Sequence, residues 1–169
     1  MKKIFIALFT ILMIIAITPN AVFAVDKNNY QETNTDNKDL YYTVYNENGQ
    51  IVEEGIIPAD GKRHHWDPNI TLENGWYTSF TLEGGNAFWA TDGTSMTLSY
   101  TLNRSAKIKW QIRKCSSRSV STGANWKSGT KTAKSGTIVR TADSSKWYYP
   151  GITNSSSDPI TIKSVDFEW

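Results

Sequence analysis

Over residues 96–113 the chain alternates apolar and polar residues almost without a break. Met96, Leu98, Tyr100 and Leu102 alternate with Thr97, Ser99 and Thr101. After Asn103-Arg104-Ser105, Ala106, Ile108, Trp110 and Ile112 alternate with Lys107, Lys109, Gln111 and Arg113. A period of two puts one set on each face of a β-strand, whereas an amphipathic helix needs a period near 3.6. The pattern predicts two half-buried strands joined by a turn at residues 103–105. The first has a hydroxyl-rich outer face and the second a cationic one.

The rest of the chain after residue 38 reads the same way, and helical periodicity is absent from it. Residues 40–45 (LYYTVY) and 51–57 are predicted strands, and Asn48-Gly49 between them predicts a type I′ hairpin, whose two central positions need positive φ. In residues 76–82, Trp76, Thr78, Phe80 and Leu82 share the core face. At the end of the chain, Ile160 and Ile162 share one phase and Val165, Phe167 and Trp169 the other, so a bulge is expected near Lys163-Ser164. Residues 116–137, rich in Ser, Thr, Gly and Lys, read as a long connection that is functional or mobile, with a short strand at 125–127. The expected fold is all-β, an antiparallel two-sheet β-sandwich of jelly-roll type with about eight or nine short strands.

The N-terminus predicts a destination. Lys2 and Lys3, an apolar run over residues 4–17 and Val22-Phe23-Ala24 have the form of a secretory signal peptide, 1–24. The run is too short for a permanent span, which needs roughly 20 residues. A disordered polar leader, 25–38, and a single β-sandwich domain, 39–169, are expected to follow, in a secreted, extracellular protein. The lone Cys115 cannot close an internal disulfide, so it is either a buried thiol or the link of a disulfide dimer.

Charge is segregated along the chain. Residues 25–103 hold 12 acidic and 4 basic residues, while residues 104–146 hold 11 basic residues against one acid, Asp143. The acidic and basic segments would neutralise each other if they lay on neighbouring strands; otherwise the basic stretch attracts anions.

Catalytic patterns are weak. Adjacent His64 and His65 would point apart on a strand and do not have the spacing of a metal site, and Glu53 and Glu54 also point apart. No catalytic residue, metal or other cofactor is expected, and the chain reads as a binding protein, not an enzyme. The expected anion-binding residues are Lys107, Lys109, Arg113, Lys114 and Lys127, with Trp126, Trp147 and Tyr148 as aromatic contacts. The expected partner is an extracellular anionic polymer or carbohydrate surface such as cell wall or polysaccharide. Nucleic acid would be held only non-specifically, since phosphate contacts carry no sequence information. The alternatives are a membrane-active toxin or bacteriocin-like protein acting on a membrane surface, and a self-associating matrix protein.

Overall fold

The computed structural model describes residues 38–59, 61 and 64–169. The expected signal peptide, and all but the last residue of the expected leader, lie outside these residues. Ten strands follow in order: β1 (Leu40–Tyr45), β2 (Ile51–Ile57), β3 (His65–Trp66), β4 (Ile70–Leu72), β5 (Tyr77–Thr81), β6 (Phe88–Ala90), β7 (Ser95–Cys115), β8 (Gly123–Thr141), β9 (Lys146–Asn154) and β10 (Ile160–Glu168). All pairings between them are antiparallel.

The alternating stretch forms one strand, not two. β7 runs 21 residues through Asn103-Arg104-Ser105 without reversing. Its partner β8 slips register there, so that Thr101 pairs with Ser135 and Ala106 with Ala133. On its other side, β7 pairs with β10 over Thr97–Leu102 and with β9 over Ile108–Cys115. The ten strands thus form one hydrogen-bonded sheet that β7 folds into two layers, one of order β2-β1-β5-β9-β7-β8 with β6 on β9, and the other built on β10 with β3 and β4. A strand that switches sheets through a bulge forms a corner of this kind. Arg104 fixes the corner, donating from Nη2 to Asp158 O (2.9 Å) and from Nε to Pro159 O (3.2 Å).

The two layers close over one core, giving the expected β-sandwich. Phe88 of β6 and Phe167 of β10 meet edge to face at 5.0 Å, joining one layer to the other. Leu98, Leu102, Ile108, Ile112, Phe80 and Ile162 are fully buried. Burial of side chains this size contributes roughly 1.5–3 kcal/mol each, and with no disulfide available it is what holds the layers together.

The expected loop over residues 116–137 is corrected. Only its beginning is a connection, with a short 3₁₀ turn at Val120–Thr122, and the rest belongs to β8. β8 carries few apolar side chains of its own, and the rings of neighbouring strands cover its glycines. Trp110 lies over Gly129, Tyr100 over Gly136, and Tyr149 of β9 over Gly123. Aromatic cover of edge glycines supplies the packing that the strand's own residues lack.

Two local expectations resolve differently. The bulge near Lys163-Ser164 is present as a register shift between Ile162 and Ser164. The hairpin at Asn48-Gly49 is not type I′, because Gly49 (φ 77°) has positive φ and Asn48 does not. Asn46 O accepts from Gly49 N, and Asn46 Oδ1 caps the amides of Asn48 and Gln50, which favours a type I turn ending on the left-handed glycine.

Candidate functional site

Residues paired directly across antiparallel strands share a face. On the outer face of the larger layer, Tyr45 pairs with Tyr77, Tyr77 with Thr153, Ser79 with Gly151, Gly151 with Gln111, and Tyr149 with Arg113. Of these, Tyr45, Tyr77, Ser79, Tyr149, Thr153 and Arg113 line an open cleft of about 630 Å³, walled by turns at Asn46–Gly49, Gly84-Gly85 and Ser119–Ser121. That volume is within the range of small-ligand sites, roughly 300–1,000 Å³.

Three tyrosines shape the floor. Tyr45 and Tyr77 stack with ring centroids 5.8 Å apart and planes 25° apart. The Tyr77 ring lies flat on Gly151 and the Tyr149 ring on Gly123, in space that a Cβ at either glycine would occupy. Gln111 Nε2 donates to Thr153 Oγ1 at 3.3 Å, so these two polar side chains are fixed beside the rings.

Arg113 supplies the cleft's positive charge. Its guanidinium sits 5.8 Å from the Tyr149 ring centroid, and Nη2 donates to Gly123 O at 2.8 Å. Burial pushes the Tyr149 hydroxyl up to about 12, with Arg113 pulling the other way. Burial likewise pushes the Tyr77 hydroxyl far above its ordinary value; Tyr149 adds to the shift and Arg113 opposes it. Although Arg113 is near enough to act on that hydroxyl, the geometry falls short of a hydrogen bond. Both Tyr77 Oη and Arg113 Nε are buried without a partner.

The residues expected to form one site are distributed over three places. Lys107, Lys109 and Arg113 do share the outer face, opposite Thr132, Thr130 and Asn125 of β8. Lys114 falls on the other face, because alternation carries it one step past Arg113; its ammonium is 2.9 Å from Asp143 Oδ1. The Lys114 charge is thus met within the protein. Lys127 pairs with Ile112 and also leaves the Arg113 face, its Nζ lying 5.4 Å from the Trp126 ring centroid.

Trp126 is the extra residue of a bulge in β8, between Lys127 opposite Ile112 and Asn125 opposite Arg113. Its indole donates to Asp143 Oδ2 at 2.8 Å, and its ring packs on Tyr148 at 5.1 Å. Lys114 first, then the Trp126 indole, hold the Asp143 carboxyl well below its ordinary range. Tyr148 is corrected as an aromatic contact: it is fully buried, its hydroxyl donating to Ser144 O at 2.9 Å, so it supports Trp126 from beneath. Trp147 lies elsewhere, against Trp89 (5.0 Å) and Arg118 (6.0 Å).

The expectation of a Cys115-linked dimer is also corrected. Cys115 is 1% exposed, and burial raises its thiol pKa, so it cannot reach a second chain from the folded state. His64 and His65 diverge as expected. His64, at φ 54°, stacks on Trp169 at 4.4 Å, whereas His65 Nδ1 lies 2.7 Å from Asp166 Oδ1. Among the described residues no group of three His, Cys, Asp or Glu could hold a metal ion.

Sequence reasoning missed Tyr45, Tyr77, Gln111 and Thr153. It followed the core phase of residues 76–82 and sought ligand-facing aromatics at strand ends. The signal for Tyr77 was the opposite phase of the same strand, where an aromatic occupies a position that alternation assigns to the outer face.

No family model matches the chain, and no curated protein matches it. Among solved structures the chain is similar to the apo CBM1 of BiXyn10A, at 11% identity and TM-score 0.37, over 62% of this chain and 72% of that one. It is similar to the CBM22-1–GH10 modules of Clostridium thermocellum xylanase 10B complexed with xylohexaose, at 14% and 0.39, over 76% and 24%. It is also similar to CBM86 of Roseburia intestinalis, described as a low affinity xylan binding module, at 16% and 0.33, over 65% and 79%. Likenesses at these values carry no argument about what this chain binds.

Proposed function

We propose that the β-sandwich is a non-catalytic polysaccharide-binding module that seats a glycan chain in the cleft floored by Tyr45, Tyr77 and Tyr149. The observation that carries this reading is the stacked pair of Tyr45 and Tyr77 rings in the cleft, Tyr77 laid over Gly151, beside polar side chains. Sugar rings combine apolar C–H faces with hydroxyl edges. Aromatic rings match the faces, while Ser79, Thr153 and Arg113 match the hydroxyls. A fixed floor also costs little ordering entropy on binding, because the rings are already held in place.

The reading is of binding without turnover. A glycosidase needs two carboxylates about 5–10 Å apart across the scissile bond. Among the described residues the cleft lining supplies one, Glu47, whose Oε2 accepts from the Trp76 indole at 3.2 Å. The location that goes with this function is extracellular, reached through the signal-like sequence of residues 1–24.

Electrophoresis through gels containing soluble neutral and acidic polysaccharides tests the proposal. At least one glycan is expected to retard the protein. Tyr45→Ala should weaken that retardation by roughly tenfold in Kd, the size of losing one good aromatic contact. Unchanged migration in every gel, or retardation unaffected by Tyr45→Ala, would overturn it.

A further inference from the structure

The cleft holds a positive charge that the protein itself leaves unanswered. The ion pairs of the described residues are those of His65 with Asp67 and Asp166, Arg104 with Asp158, and Lys114 with Asp143; Arg113 is in none of them. Its Nη2 is committed to a backbone carbonyl, while its Nε is buried with a proton and no acceptor. The Tyr77 hydroxyl, lining the same cleft, is buried without a partner too. Buried donors without an acceptor are costly, the more so when charged, so an unsatisfied pair lining a cleft marks where a ligand's acceptor belongs.

Resting on the cleft reading above, we propose that Arg113 and Tyr77 form a carboxylate subsite and that the ligand is a uronate-bearing, acidic polysaccharide. Arg113 Nε–H and the Tyr77 O–H donate to the sugar carboxylate. Charge-assisted bonds of this kind are roughly twice as strong as neutral ones, and a planar carboxylate suits an in-plane guanidinium donor. A neutral glycan would leave the guanidinium without a counter-charge. Lys109 and Lys107 follow Arg113 at alternate positions on the same face, and neither pairs with a carboxylate among the described residues. They extend the positive field along the sheet face beyond the cleft and attract further uronates of the same chain.

The test compares each of three uronate polymers, polygalacturonate, alginate and glucuronoxylan, with its carboxyl-methylated form, which keeps the backbone and loses the charge. Kd is measured by titration calorimetry on the full chain. At least one polymer should bind ten-fold or more tightly in the acid form, with the preference shrinking as salt rises. Arg113→Gln should reduce the acid-to-ester ratio to about one. Arg113→Lys, which keeps the charge, should retain part of the preference. Equal binding of acid and ester by the unaltered protein overturns the carboxylate subsite and leaves the cleft reading standing, and this comparison needs no variant to fold. A preference that survives in Arg113→Gln overturns the assignment to Arg113. Binding to sulfated dextran but to no uronate polymer overturns the choice of carboxylate. Binding to none of these polymers in either form overturns the uronate ligand, while the gel assay above decides the cleft.

Discussion

Gly151 shows how a single atom decides the candidate site. A Cβ at this position would enter the Tyr77 ring, so the ring lies flat only because the sheet beneath it is bare. Gly151→Ala is expected to lift Tyr77, cost about 1–3 kcal/mol in denaturant unfolding, and abolish glycan binding. Gly123→Ala should act similarly through Tyr149, whose Cε1 would be 2.6 Å from the new Cβ. Asp143 gives a second prediction. Its carboxyl is held below the ordinary value, so its contribution to stability is complete above the unfolded carboxylate pKa. It is lost only as the pH falls through the lower folded value. Trp126 fluorescence should therefore be constant from pH 7 to pH 4 and change only in stronger acid; a transition near pH 4 to 5 would contradict the Asp143–indole bond. At this scale the core residues were readable, since Phe80, Trp110, Ile112 and Phe167 follow strict alternation. Tyr77 was not, because an outward aromatic resembles an ordinary surface residue until its glycine platform is known.

The β7–β8 hairpin is the element that builds both layers. Its continuity was present in the sequence as an unbroken phase: Met96 to Leu102 and Ala106 to Ile112 are all even-numbered and face inward. A turn at residues 103–105 suited the local polarity, and that preserved phase was the contrary sign. β8 was hidden for another physical reason. Its inward positions include Gly129 and Gly136, and the rings that cover them belong to β7, some twenty or more residues earlier. Trp110→Ala should thus uncover Gly129, free the Arg140 guanidinium that sits 4.7 Å from the Trp110 ring centroid, and cost about 3–5 kcal/mol by thermal or denaturant unfolding. At the end of β7, the buried Cys115 should react with a thiol reagent only at the rate of unfolding and give no dimer on a non-reducing gel. Rapid labelling of the native protein would contradict its burial.

Across the whole molecule, the segregated charge of the sequence becomes a segregated sheet. Neutralisation on neighbouring strands is not what the topology does. β2, carrying Glu53 and Glu54, and the β7–β8 hairpin lie at opposite ends of the order β2-β1-β5-β9-β7-β8, and the tyrosine cleft lies between them. Sequence alone gave the two charged segments but not their separation, which depends on strand order. A polyanion should approach from the hairpin end, so binding of an acidic glycan should fall as salt rises past the point where the Debye length drops below about 8 Å. Binding carried by ring stacking alone would hold steady. The central claim, that glycan sits on the tyrosine floor, is tested most directly by NMR titration of the labelled protein with a glycan that retards it. The account predicts that the largest shifts fall on Tyr45, Tyr77, Tyr149, Gln111 and Arg113, with Trp126 and Lys127 unmoved. Shifts centred on Trp126, Lys127 and Lys131, with the tyrosines silent, would place the binding surface on the other face of the hairpin and contradict it.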